Sequence, residues 1–533
     1  MPLRQPKTDH DQHRLDVPTL LATSHPLESL LASGGDGRLA LHGKDRRNSY
    51  GCTLHPRPAL LDFGSSTAST ISPRAYARVQ SLQAQMWLDS VLNDSAELFE
   101  GYVEEMRHVL RRHLGAEGAD VVFSPSGTDA QLQALFLVKA MLGAPLVTII
   151  VGADQTGSGT AHTARGCHFS DRTALGVEVE KGAAIAGLCE QVRTISIPFC
   201  DETGTLRSDQ QMDAAVIEAV RTAIARGDKV LLQVMDSSKL GWAGPSSACT
   251  DSIADAWPDH VRIVVDACQM RLGRAQLKNY LAHGYFVLVT GSKFFTGPPF
   301  SGALLVPASQ ARIIADIAPV SQGIGGYSTC YDWPRSWGLL REALSAHANH
   351  GQWLRWEAAL EEMGAYFAVP QDFRDGVLQA FAAEVPRLIG ASPNLQLLKE
   401  KPGIADPRWS GEMRHQTIFS FVPHHNGEPL PLQQAAALYR AMGHDVSNRL
   451  PHSSANQHRI AARECQIGQP VALRHRPGAA LRICASARLV ADCWQGAATV
   501  EKAMAPVLDD VSAVIEKLDW LIDHPQMCEG ETP

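Results

Sequence analysis

Asp266 and Lys293 are the residues of this chain best placed to do chemistry together. An apolar, β-branched run over residues 261–265 ends on Asp266, and a second run, residues 285–289, opens into Thr290-Gly291-Ser292-Lys293. Such runs read as buried strands of a parallel sheet, and open α/β sheets bind ligands just outside the carboxyl ends of their strands. The acid and the lysine are therefore predicted to face one site. A lysine in that place can form a Schiff base with a carbonyl compound, and an acid opposite it can hold a ring nitrogen protonated. Each residue alone has a plainer reading, as a buried aspartate capping a loop and as a surface lysine.

A phosphate-binding turn lies upstream. The short strand Val121-Val122-Phe123 leads into Ser124-Pro125-Ser126-Gly127-Thr128-Asp129, and a helical period follows with Leu132, Leu135, Phe136, Val138 and Met141 inward. A Ser-Gly-Thr turn at a helix start presents unpaired backbone N–H groups and the positive end of the helix dipole, which suits a phosphate. An ordinary N-cap is the plain alternative.

In this order the turn, the acid and the lysine resemble the fold-type I pyridoxal-phosphate enzymes, most nearly the aminotransferase class V branch that includes cysteine desulfurases and kynureninase. The resemblance rests on Asp266-Ala267-Cys268-Gln269, on Ser292-Lys293, and on Gly297-Pro298 leading to Gly302-Ala303-Leu304; it covers residues 120–330 well and the rest loosely. It implies pyridoxal 5'-phosphate as cofactor, with Lys293 as the Schiff-base lysine and Asp266 as partner of the pyridine nitrogen. Ser126, Gly127, Thr128, Thr290 and Ser292 would hold the phosphate. Gln269, and Asp236 with Ser237, would lie near the phenolic oxygen or the substrate. Gly325-Gly326-Tyr327-Ser328-Thr329 resembles the segment that reaches a neighbouring subunit's phosphate, which implies a homodimer with shared active sites. Arg482, in Leu481-Arg482-Ile483, stands where the class carries an arginine for the substrate carboxylate, a group that a planar guanidinium matches through paired hydrogen bonds. Arg488 is second choice.

The chain also departs from that pattern. Gln155 or Thr156 stands where relatives place the side chain that stacks on the ring, which leaves His162 or His168 as candidates to cover it. Relatives usually carry Asn where this chain has Asp236 and Ser237. Lys239 is a second lysine near the predicted site, but it precedes Asp266, the wrong side for the Schiff base.

The elements needed to position these residues follow from periodicity. Strands over residues 146–151, 192–197 and 230–234 alternate with a helix over residues 209–226, a doubly wound pattern. The fold class is thus α/β. The resemblance implies a mostly parallel seven-stranded large domain with helices on both faces and a smaller α+β C-terminal domain. The expected division is a disordered leader (1–25), an arm near the active site (26–85) with Tyr50, Arg57 and Ser65-Ser66-Thr67 as possible contacts, the large domain (86–335) and the small one (336–533). Strands over 416–422 and 480–485 and helices over 432–442 and 500–521 are predicted in the last.

Composition narrows the setting. A net charge of -8, with no basic block, gives no reason to expect nucleic acid or an anionic membrane as partner. There is no apolar leader and no run long enough to span a bilayer, so a cytoplasmic protein is expected. The eleven cysteines are scattered without a CxxC pair, as for free thiols rather than a disulfide or metal framework. Cys330 and Cys465 fall on predicted loops, but no Ser-rich cysteine loop of the desulfurase kind is evident. The expected activity is therefore an aminotransferase acting on an amino acid. The alternatives are a carbon–sulfur or other class V lyase, and a protein that keeps the fold without turnover.

Overall fold

Seven apolar runs pair into one sheet because every strand in it carries apolar residues toward both faces. The computed structural model describes residues 24–92, 95–157, 159–314, 322–398, 411–450, 454–474, 476–494 and 499–529; nearly all of the predicted leader lies outside them. The strands are β1 (Ala119–Ser124), β2 (Leu146–Val151), β3 (Val192–Ile197), β4 (Lys229–Met235), β5 (Val261–Asp266), β6 (Phe286–Thr290) and β7 (Gly302–Pro307). Their spatial order is β1-β7-β6-β5-β4-β2-β3, with β7 antiparallel to its two neighbours and all other pairs parallel.

Alternation along the strands feeds two cores. Val122, Val264, Leu288 and Leu304 pack with the helix Gly127–Leu142, while Val121, Phe123, Val265, Val287 and Leu305 join the core that includes helices Ser95–Leu114, Asp209–Ala225 and His350–Ala368. Helices thus cover both faces, as a mainly parallel sheet requires.

Register decides what the rim of the sheet holds. Met235 lies beside Asp266, Asp266 beside Leu288, and both Ser124 and Thr290 beside Gly302. Because β7 runs backwards, its first residue sits at the same edge as the last residues of β1 and β6. The turn after β1 and the loops after β4, β5 and β6 therefore leave from one rim.

A second, smaller unit follows. Ile418–His425 pairs antiparallel with Leu395–Leu397 and with Ala479–Cys484, which in turn pairs with Gly468–Ala472. The strand predicted over 416–422 starts two residues later and runs on to His425, where Asn426 and Gly427, both at positive φ, turn the chain into Glu428–Pro429. The helix His350–Ala368, which precedes this unit in the chain, packs on the large sheet: Trp356 is fully buried, and its Nε1 donates to the Gly302 carbonyl at 3.0 Å.

Candidate active site

A cavity of about 380 Å³ opens at that rim, and its wall includes Ser126, Gly127, Thr128, Asp266, Gln269, Thr290, Ser292, Lys293 and Arg482. Asp266 is buried at the end of β5. One carboxylate oxygen accepts from the Cys268 backbone N–H at 3.1 Å and the other from Gln131 Nε2 at 3.4 Å, and Gln131 is itself oriented by the Thr163 hydroxyl at 3.2 Å. Gln131 sits one turn beyond Gly127 on the helix, so the element that starts at the Ser-Gly-Thr turn also aims the acid.

Lys293 lies on the loop after β6, and that loop is tightly held. The Thr290 hydroxyl donates to the Cys268 carbonyl at 2.7 Å, and Thr296 N–H donates to the Lys293 carbonyl at 2.8 Å. A Cβ at Gly291 or Gly297 would come within 2.4 or 2.6 Å of Ala359, so both glycines are needed for the helix His350–Ala368 to approach. Thr296 and Phe300 adopt φ of 53° and 75°, a costly region for residues with side chains, and surrounding contacts hold them there. One such contact is Arg355, whose Nε donates to the Phe300 carbonyl at 2.8 Å while its other N–H groups bond the carbonyls of Leu31, Ser33 and Gly34. The same guanidinium thus ties the N-terminal arm to the lysine loop.

At the Ser-Gly-Thr turn, Ser126 caps the helix. Its hydroxyl donates to Asp129 at 2.5 Å and accepts from the Asp129 N–H, so the hydroxyl is committed within the turn. Gly127 and Thr128 carry the first helical N–H groups, which no carbonyl of the helix can serve. A Cβ on Gly127 would stand 2.6 Å from Cys268 Sγ, so only glycine lets this turn meet the loop after β5. Burial, with the Asp36 charge adding to it, pushes the Asp129 carboxyl up to about 7. The folded state therefore keeps a proton that the unfolded chain releases near its ordinary value of 3.8. This contribution to stability is complete below that value and is lost as pH rises through about 7. Asp129→Asn keeps an acceptor oxygen for Ser126 and is expected to flatten the fall in melting temperature between pH 5 and pH 8, within the range these pKa values set. Wild-type and variant melting curves that decline in parallel would rule this out.

Arg482 enters from the small unit, on the strand Ala479–Cys484. Its Nε donates to Ser66 Oγ at 2.9 Å and Nη2 to Thr67 Oγ1 at 2.8 Å, with Nη1 on the Gln469 carbonyl. All three acceptors are neutral, so the charge has no acid of its own among the described residues. Burial lowers its pKa to about 10, which leaves it cationic at neutral pH. Gly468 makes room for it, since a Cβ there would stand 2.6 Å from Arg482 Nε.

Other predicted residues are placed elsewhere. Asp236 is absent from the wall and accepts from the Tyr280 hydroxyl at 3.0 Å; its neighbours Met235, Ser237 and Ser238 face the cavity instead. Ser328 and Thr329 are fully buried in their own chain, held by Asp332, and Ser328 also by Trp333 Nε1, so neither is free to reach a neighbour's phosphate. Gln269 does line the cavity, but its amide N–H donates to the Ser66 carbonyl at 3.1 Å. His162 and His168 are not on the wall, and His168 pairs with the Tyr327 hydroxyl at 2.6 Å. Arg488 bonds Glu362 and the carbonyls of Thr70 and Thr296, and with Arg57 it lines a separate crevice of about 850 Å³ that holds neither Asp266 nor Lys293.

The arm supplies Arg38, which the sequence did not single out, and Tyr50, Ser66 and Thr67, which it named as possible contacts. Arg38 lines the cavity, 3.5 Å from Ser126 Oγ, gripped by Asp36 at 2.6 to 3.1 Å and lying over the Phe300 ring. Tyr50, Ser66 and Thr67 also line it. No periodic signal marks Arg38; the i, i+4 relation to Gly127 was the available clue to Gln131. Three buried polar atoms on the wall, Gln155 Oε1, Thr160 Oγ1 and Gln269 Oε1, have no hydrogen-bond partner among the described residues. Such orphans suit a polar occupant.

No family model and no curated protein matches the chain. Among solved structures, a NifS-like protein aligns with a TM-score of 0.51 over 87% of this chain and 100% of that one, at 13% identity. The cysteine desulfurase CsdA of Escherichia coli gives 0.51 over 87% and 95%, at 12% identity. The likeness is one of fold: the chain has the architecture of the fold-type I pyridoxal-phosphate enzymes, as its strand-end residues led us to expect.

Proposed function

We propose that this chain is a pyridoxal-phosphate enzyme of amino-acid metabolism, and an aminotransferase in particular. The observation that carries the reading is the meeting of Asp266, Lys293 and an acid-free Arg482 on one cavity wall, next to a glycine turn with unserved N–H groups. A planar, phosphorylated pyridine aldehyde fits this donor set. The N–H groups of Gly127 and Thr128 and the hydroxyl of Ser292 would hold its phosphate, with Arg38 beside them; the Thr290 hydroxyl is already given to the Cys268 carbonyl. Gln155 and Gln269 offer unpaired amide oxygens for its polar edge.

When bound, this cofactor supplies an electron sink for negative charge at the substrate Cα. Lys293 would hold the cofactor through its Nζ and would move the substrate's Cα proton. Asp266 keeps the proton on the pyridine nitrogen, and the Cys268 N–H and Gln131 keep Asp266 aimed. Arg482 takes the substrate α-carboxylate, fixing which Cα bond faces Lys293.

A carbon–sulfur lyase of the desulfurase kind is the second reading, favoured by the fold shared with CsdA. It calls for a thiolate that can reach the substrate. Cys268 is the one cysteine on the described wall, and burial together with the Asp266 charge pushes its thiol well above the usual range. Cys330 and Cys465 lie off the wall, and burial raises both, Cys465 to about 11. This supports transfer over sulfur abstraction. A homodimer in the reducing cytoplasm accords with the fold type and with eleven free cysteines, and the exposed Gly325 is the part of its segment left accessible to a partner. Among the described residues no helix is long and apolar enough to cross a membrane.

The test is a panel of amino acids, each with a 2-oxo acid acceptor, assayed for the new amino acid and for sulfide, ammonia and carbon dioxide. Amino-group transfer supports the reading. Release of sulfide or ammonia without transfer replaces it with the lyase.

A further inference from the structure

The cavity wall carries more positive charge than the reading above uses. Arg38, Lys239, Lys293 and Arg482 line it, against Asp266 alone. Asp36 matches Arg38, and Lys293 is assigned to the cofactor. Arg482 is given to the substrate α-carboxylate, so Lys239 remains. Lys239 Nζ has no hydrogen-bond or ion-pair partner among the described residues, and its backbone N–H donates to the Gln155 carbonyl at 3.4 Å.

The loop that presents Lys239 is rigid. Ser238 Oγ accepts from the N–H groups of Leu240 (3.3 Å) and Trp242 (3.0 Å), Ser238 N–H donates to the Trp242 carbonyl at 2.8 Å, and Gly241 closes the turn at a φ of 82°. Trp242 is buried beneath it. The closed loop fixes where the Lys239 side chain leaves the backbone at the cavity wall. Its pKa is pushed down to about 7, by burial first and then by Arg482, Lys293 and Arg38, with Asp266 opposing. Lys239 and Arg482 line the same cavity.

We infer that Lys239 and Arg482 together bind a substrate with two anionic groups, an amino acid whose side chain ends in a carboxylate or comparable anion. This rests on the pyridoxal-phosphate reading and narrows its substrate. Arg482 takes the α-carboxylate and Lys239 the distal anion. Lys239 is thus a specificity residue.

The test compares glutarate with pentanoate, which differ by one carboxylate, titrated calorimetrically into the cofactor-loaded protein after its visible band has been recorded. Glutarate is expected to bind about 10- to 100-fold more tightly, the range of one hydrogen bond to a charged group. Lys239→Met should reduce that preference to about threefold or less, and Lys239→Arg should keep most of it. The band should be unchanged in both variants. Equal affinities in the wild type, or a preference that survives Lys239→Met, overturn the inference. Loss or displacement of the band in Lys239→Met assigns the lysine to the cofactor instead and also overturns it. A wild-type protein without the band overturns the cofactor reading itself, a failure seen before any diacid is added.

Discussion

Asp266→Asn is expected to lower kcat by about 10³-fold while the protein still takes up the cofactor, the scale of losing a well-placed proton-holding group. The asparagine keeps an oxygen for the Cys268 N–H, now at 3.1 Å from the carboxylate, so the loop after β5 has no reason to move. What it lacks is the negative charge that holds a proton on the pyridine nitrogen, and without that proton the ring is a poor sink for electrons. Gln131 is already an amide donor to this position, and an asparagine can face it with its oxygen or turn its own N–H toward the ring, but not both. Steady-state rates beside cofactor content provide the check. A variant within about tenfold of wild type would remove Asp266 from the chemistry.

Arg482→Met is the second large effect. Removing one partner of a buried, hydrogen-bonded charge pair costs about 2–5 kcal/mol, so kcat/KM for amino acids should fall by about 30- to 1000-fold or more. Methionine has the length to fill the space beside Gly468, and the hydroxyls of Ser66 and Thr67 can then bond each other or water. Amines without a carboxylate discriminate a binding role from a packing one. Their rates should be equal in wild type and variant, whereas a uniform loss across amines and amino acids would mean that Arg482 only braces the arm.

Much of the large sheet was legible because most of its strands are short apolar runs, several of them β-branched, bounded by turn residues. Strand ends then located Asp266, Lys293 and the Ser-Gly-Thr turn on one rim. Asp236 shows where that logic stops: a strand end gives the rim but not the side. Successive residues point to opposite sides, and here Met235 and Ser237 face the cavity while Asp236 meets Tyr280. Ser328 and Thr329 resemble a segment that reaches a neighbouring subunit's phosphate, yet Asp332 and Trp333, a few residues on, fold back and bury them. That is a tertiary decision with no local signal. Arg38 was hidden for the opposite reason, lying in an arm with no period at all and positioned by Arg355 from a distant helix. In the small unit, Gly468–Ala472 escaped notice because a strand containing Gly and Pro carries little β signal, and the helix Gln371–Ala391 because Pro386 interrupts its pattern.

The most direct test of the central claim is the visible absorbance spectrum of the purified protein with added pyridoxal phosphate, recorded beside Lys293→Ala. The wild type should develop the band of a cofactor joined to a lysine, and borohydride should fix that cofactor to the peptide containing Lys293. The variant should show only the spectrum of the free aldehyde. A wild type without the band, or a band that persists in Lys293→Ala, would contradict the assignment of this cavity as a pyridoxal-phosphate site built on Lys293.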